Sequence, residues 1–207
     1  MSGAWRGIET HPTYPGKGNL GEAGRNSLSP RAPPAYRCRM RLNDKLEQAF
    51  NDQITLEMQA SNVYRQLAIE LDRLDLGGMA EWMRAQSEEE ILHAEKFIDH
   101  LAARDNHAKI GDVPGVDVTV ESAIDAFRIA LEHEEKVSSA IRDLWNLAAD
   151  ERDVDSRPLL DWFVNEQIEE EDTVRGIIGR LELIDGDGNG ILRIDGELSA
   201  RNAQVTE

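Results

Sequence analysis

From Leu42 to Ile184 apolar residues return at three- and four-residue intervals, the period of a helix with one buried face. The pattern breaks at Gly77–Gly78, again over about fifteen residues in DNHAKIGDVPGVDVTV, and at DVDSRP. The spacing therefore predicts four helices, about Asn43–Leu74, Met79–Arg104, Glu121–Asp150 and Pro158–Ile184, with Asn43 or Asp44 as the first N-cap and Pro158 as a helix-entry signal. Four long helices make an all-α bundle. The first and last links are short and join antiparallel pairs. The middle link, fully extended, reaches roughly 50 Å, against roughly 42 Å for a helix of about 28 residues. One long crossover joining two hairpins is the topology these lengths allow.

Each predicted helix interrupts its own apolar stripe once, near mid-length. Residues seven apart share a face of a bundle helix. Phe50 and Tyr64 flank Glu57, Met83 and Phe97 flank Glu90, Phe127 and Ile141 flank Glu134, and Leu160 and Val174 flank Gln167. His93 and Glu170 follow three residues after Glu90 and Gln167, on the same faces. A solvated acidic face would carry its glutamates opposite the apolar stripe, whereas these lie on it. An unpaired carboxylate in a bundle core costs several kcal/mol, and a pair of cations offsets that cost. Glu and His without Cys suit iron, manganese or zinc. One position is predicted from Glu57, Glu90 and His93. A second uses Glu90 as a bridge with Glu134, Glu170 and the Gln167 side chain, and lacking a histidine it should bind more weakly.

Composition narrows the chemistry. Lys+Arg number 23 against 40 Asp+Glu, a net charge of −17, which excludes nucleic acid or an anionic membrane as the main partner and favours cations. A single cysteine, Cys38, leaves no intrachain disulfide and no cysteine metal site. No apolar run spans a membrane and no signal-peptide core is visible, so a cytoplasmic location is expected. Residues 1–39 differ from the rest, with six Gly, five Pro and a net charge of +4, leaving −21 on the remainder. That composition predicts a disordered basic extension, with Met40 as an alternative start. The expected organisation is thus 1–39 extension, 40–184 bundle, and 185–207 turn, short fifth helix and tail.

Over about residues 40–200 the chain resembles bacterial non-haem ferritins, in LEMQASNVYRQL, SEEEILHAEKF, EHEEKV, WFVNEQIEEED and GNGILRIDGELS. Glu57 to Glu90 and Glu134 to Gln167 are both 33 residues apart, as in that family. The resemblance implies a ferritin-like bundle with a short fifth helix, assembled as a 24-subunit shell. It implies oxidation of Fe(II) by O2 or H2O2 at a dinuclear ferroxidase centre of Glu57, Glu90, His93, Glu134, Gln167 and Glu170, with ferric mineral stored inside. It further implies a third iron position from Glu89, Glu166, Glu169 and Glu170, and a tyrosine, Tyr64, close to the irons. Haem is not expected, because Ile91 follows the bridging glutamate where haem-binding relatives carry methionine. The alternative is a di-metal oxidoreductase or peroxidase without storage, for which a second Glu-x-x-His is missing. A scaffold docked through residues 1–39 and a calcium sensor are further readings.

The calcium reading rests on DGDGNGILRIDGE. Asp185, Asp187, Asn189 and Gly190 match an EF-hand start, but position 12 is Gly196 and Glu197 comes one residue late. A turn before a fifth helix near Ile191–Arg201 is the expectation. His100 is expected to be hydrogen-bonded near a helix end and His133 to lie off the metal face. Asp150, Glu151, Asp153 and Asp155 are expected at an acidic turn, with an iron entry pore as the alternative.

Overall fold

A computed structural model describes residues 40–205, with side chains to residue 200; the predicted extension at 1–39, Cys38 included, lies outside the described residues. Among the described residues the chain is all helix: α1 (Asp44–Arg73), α2 (Gly77–Ala103), α3 (Ala123–Asp150), α4 (Arg157–Ile184) and α5 (Gly188–Val205). Asn43 caps α1, its side chain accepting from Leu46 N at 2.9 Å. Ser122 caps α3 in the same way from Asp125 N, and Pro158 opens α4 where a missing N–H costs nothing.

The long link runs beside α1 and is stitched to it. Asn51 donates to the His107 carbonyl at 3.1 Å and accepts from Lys109 N at 2.7 Å. One turn on, Thr55 accepts from Gly111 N at 2.8 Å, and near the far end Arg73 donates to the Val120 carbonyl at 2.8 Å. The crossover thus spans the bundle from the start of α1 to its end, as the link length requires.

All eight flanking stripe residues are buried at 0 or 1% exposure. They fall into two apolar halves. One gathers Tyr64, Met83, Phe127 and Val174, and the other Phe50, Phe97, Ile141 and Leu160. Phe97 stacks on Phe163 at 4.1 Å and meets Phe50 edge-on at 5.9 Å. Between the halves lies the polar layer.

Three of the bundle helices end alike. Asp75, Asp105 and Arg152 take φ of 61°, 57° and 59°. The residue after each donates back five positions, Leu76 to Leu71 at 3.0 Å, Asn106 to Leu101 at 2.9 Å and Asp153 to Ala148 at 2.8 Å. These are Schellman ends built without glycine.

Gly77–Gly78 were expected as the break between the first two helices. They are instead the first residues of α2, and the turn is made by Leu74–Leu76. Gly78 is needed for contact rather than for turning. A Cβ there would lie 2.0 Å from the Asp195 carbonyl oxygen of α5. The N-cap of α2, Leu76, offers no side-chain acceptor, and Asp195 supplies one from α5, accepting from Met79 N at 2.8 Å. Replacing Gly78 by alanine is expected to unseat α5 while the bundle stays folded, at a cost of about 1–3 kcal/mol. Limited proteolysis at residues 185–190 checks this. Wild-type resistance there would contradict it.

Candidate metal centre

Gln53, Glu57, Ser61 and Tyr64 form one inward line on α1, at three- and four-residue steps, and all are buried. Glu90 and His93 face them from α2, each 1% exposed, Glu134 comes from α3, and Gln167 and Glu170 from α4. One ligand atom each of Glu57, Glu90 and His93 can be drawn from within 4.8 Å of one another. His93 Nδ1 lies 3.2 Å from Glu90 Oε2, and the ring packs edge-on to Phe163 and Trp162, which fixes its plane. Gln53 Nε2 donates to Glu57 Oε1 at 2.9 Å, while Glu57 Oε2 is buried with no partner. An orphaned carboxylate oxygen aimed into a Glu/His group suits a cation ligand.

Across the layer Tyr64 Oη donates to Glu134 Oε1 at 2.5 Å, and Gln167 Nε2 faces Glu134 Oε2 at 3.5 Å. Glu89, His93, Glu166 and Glu170 make a second group on the same criterion. Glu169, expected with them, does not join. One residue before Glu170, it is rotated off the inner face and lies beside Arg142 and Ile168 in a surface depression of about 290 Å³.

Burial dominates the acid–base state. It raises Glu57 and Glu90 well above the usual carboxylate range, with repulsion from Glu90 adding to it at Glu57 and repulsion from Glu134 and Glu170 adding to it at Glu90. Glu134 is raised by burial, against the Tyr64 and Gln167 hydrogen bonds, and Glu170 is pushed up to about 9 by burial and by Glu134. Glu166 is raised too, chiefly by desolvation. Burial also raises the Tyr64 phenol well above 10, so it is a neutral donor.

These shifts set a pH dependence. Below pH 4.5 such carboxyls hold protons folded and unfolded alike. As pH rises the unfolded chain releases them and the folded layer does not, so folding requires proton uptake and stability falls. From pH 7 to 9 the loss is up to about 1.4 kcal/mol per pH unit for each carboxyl that keeps its proton. His100 and His133, both lowered by burial, do not titrate in that window. Melting of the metal-free protein is expected to drop steadily from pH 7 to 9, and two equivalents of Zn(II) to flatten the slope. A melting temperature that rises with pH would contradict the buried-acid layer.

The remaining histidines and acids fall outside the layer. His100 stacks on Phe50 and its Nε2 pairs with Ser156 Oγ at 2.8 Å, a hydrogen-bonded role as expected. His133 is buried and neither ring nitrogen has a partner among the described residues. Asp187 accepts from Gly190 N at 2.7 Å at the start of α5, so DGDGN folds as a helix entry. Of the acidic turn, Glu151 is engaged by Asn43 and Lys45, and Asp153 by Arg104. Two of four pore candidates are thus tied within the subunit.

Sequence reading missed Gln53, Ser138 and Glu171, all buried beside the layer. Gln53 stands four residues before Glu57 on the same face, a spacing that could have found it. Ser138 and Glu171 likewise stand four residues after Glu134 and Gln167, so the same spacing could have found them.

Relatives match this chain over most of their length. The ferritin-like domain family matches residues 47–184. The bacterial non-heme ferritin of Bacteroides fragilis is 36% identical over 77% of this chain and 99% of its own. That of Campylobacter jejuni is 31% identical over 74% and 92%. An open pore ferritin of Archaeoglobus fulgidus superposes with a TM-score of 0.76 at 34% identity, over 77% of this chain and 98% of its own. With the bundle, its crossover and its mid-helix carboxylates all present, the chain belongs to the ferritin-like domain family.

Proposed function

We propose that the protein is an iron-storage ferritin that oxidises Fe(II) at the mid-bundle centre and holds the ferric product inside a multisubunit shell. One observation carries this reading: Glu57, Glu90, Glu134, Glu170 and His93 converge, buried, between two apolar halves of a core. The buried guanidinium among the described residues, Arg104, caps the end of α2 about eleven residues beyond His93, roughly 16 Å away, and cannot neutralise them. The relatives' names, bacterial non-heme ferritin, support the same reading.

Iron is substrate and cargo here. Glu57, Glu90 and His93 hold one Fe(II), and Glu90, Glu134 and Glu170 hold the other, with Glu90 between them. Each iron gives one electron to dioxygen, which with two protons leaves as hydrogen peroxide; peroxide can serve as oxidant in its turn. Holding both metals together makes the reduction a two-electron step. Gln53 fixes one oxygen of Glu57 so that the other faces the metal. Tyr64 donates to Glu134 and keeps its second oxygen inward. The carboxyl protons leave as the metals enter. Glu89, Glu166 and Glu170 would form a third position beside the pair.

The test is aerobic Fe(II) titration of the metal-free protein, following ferric absorbance against iron per subunit. Oxidation far beyond two irons, with soluble protein-bound product, is expected. Arrest at two would mean a di-metal oxidoreductase without storage. Size analysis of the same sample tests the 24-subunit shell.

A further inference from the structure

We propose that Ser138 and Glu171 are positioning residues that turn the side-chain oxygen of Gln167 toward the second metal. The inference rests on the dinuclear reading above and extends it to the residues behind the ligands. Ser138 of α3 is buried between two oxygens of α4, Gln167 Oε1 at 3.0 Å and Glu171 Oε1, which it also contacts. A serine hydroxyl has one proton and cannot serve both.

Charge decides which acceptor wins. Arg175 Nη1 donates to Glu171 Oε2 at 2.8 Å, and Arg142 stands 3.6 Å from Glu171 Oε1. An ion-paired carboxylate is a stronger acceptor than a neutral amide oxygen. The Ser138 proton therefore goes outward to Glu171, and the hydroxyl oxygen turns a lone pair toward Gln167. Two acceptors 3.0 Å apart with no proton between them repel. Turning the amide over removes the conflict, because the NH2 group then donates to Ser138. The same turn carries the amide oxygen to the side facing Glu134 Oε2, where Nε2 lies 3.5 Å away in the opposite orientation. Two oxygens facing each other there suit a shared cation. Two guanidiniums at the surface thus set, through one carboxylate and one hydroxyl, whether Gln167 offers the metal an oxygen or an NH2.

Co(II) titration of the full-length, metal-free protein tests this, read by visible absorption bands and bound metal per subunit. Wild type is expected to take two Co(II), the weaker at the Gln167 side. Ser138→Ala and Glu171→Gln are expected to weaken that second Co(II) about 10- to 100-fold, with the first unchanged and the fold intact by melting. Ser138→Thr keeps the hydroxyl and should restore binding. In a Gln167→Glu background, where both side-chain atoms are oxygens, Ser138→Ala should cost nothing. An equal loss in that background, or equal weakening of both Co(II), would show a merely structural role and overturn the proposal. So would unchanged binding in both single variants. A wild type that binds fewer than two Co(II) would instead refute the dinuclear reading itself.

Discussion

Replacing Glu90 by alanine is expected to slow the oxidation of the first two Fe(II) per subunit by about 100-fold or more. Glu90 belongs to the His93 group and lies against Glu134 and Glu170, so on the proposed assignment its loss removes a ligand from both positions. The substitution should not harm the fold. Glu90 is raised well above the carboxylate range by burial and by its neighbours, so in the metal-free protein keeping it buried disfavours folding at neutral pH. The variant should melt at or above wild type without metal, and gain less from Zn(II). Glu88, two residues away and exposed, is the control, and Glu88→Gln should oxidise iron normally. Stopped-flow ferric absorbance measures the rate. Wild-type kinetics in the alanine variant would remove the bridging assignment.

The second large effect lies at the other end of α2 and concerns stability. Arg104 is 6% exposed and bonds Asp153 Oδ1 at 2.8 Å, Ser156 Oγ at 3.3 Å and the Met40 carbonyl. It ties the end of α2 to the turn between α3 and α4 and to the lead-in of α1. The Asp153 carboxyl is depressed although burial works against it, because the Arg104 and Ser156 hydrogen bonds outweigh desolvation. Arg104→Met would leave Asp153 and Ser156 without that partner, at a cost of about 3–5 kcal/mol. Denaturant unfolding of the metal-free protein checks the figure. Adding Asp153→Asn should recover part of the loss, and iron oxidation should survive, since the centre is distant. A loss under 1 kcal/mol would mean the pair is not held dry.

Much of this was legible in the heptads. Phe50, Glu57 and Tyr64, and their counterparts on the other three helices, are an apolar stripe broken once, and a broken stripe has few physical outcomes. Helix ends were readable where a side chain near in sequence makes the cap, as at Asn43. They were not where the cap arrives from afar: Asp195 is 116 residues from Met79. The same limit hid the pairing of Arg104 with Asp153 and of Asn43 with Glu151, which turn two suspected pore acids into braces. Glu169, three residues after Glu166, is exposed and stands apart from the Glu89, His93, Glu166 and Glu170 group in the metal-free fold. Ser138 and Glu171 matter through a count of protons, which no periodicity records.

The left-handed helix ends bear on engineering. Asp75, Asp105 and Arg152 hold a conformation that glycine adopts freely and that costs other residues about 1 kcal/mol, less for aspartate than for arginine. Glycine at Asp75, at the opposite end of the bundle, would add a nearly independent increment of heat resistance, whereas Asp105 and Arg152 flank the Arg104–Asp153 pair and their increments would couple, with Arg152→Gly giving the largest. None of the three is among the buried carboxylates of the mid-bundle layer, so the fold could be hardened at its helix ends while that layer is left alone.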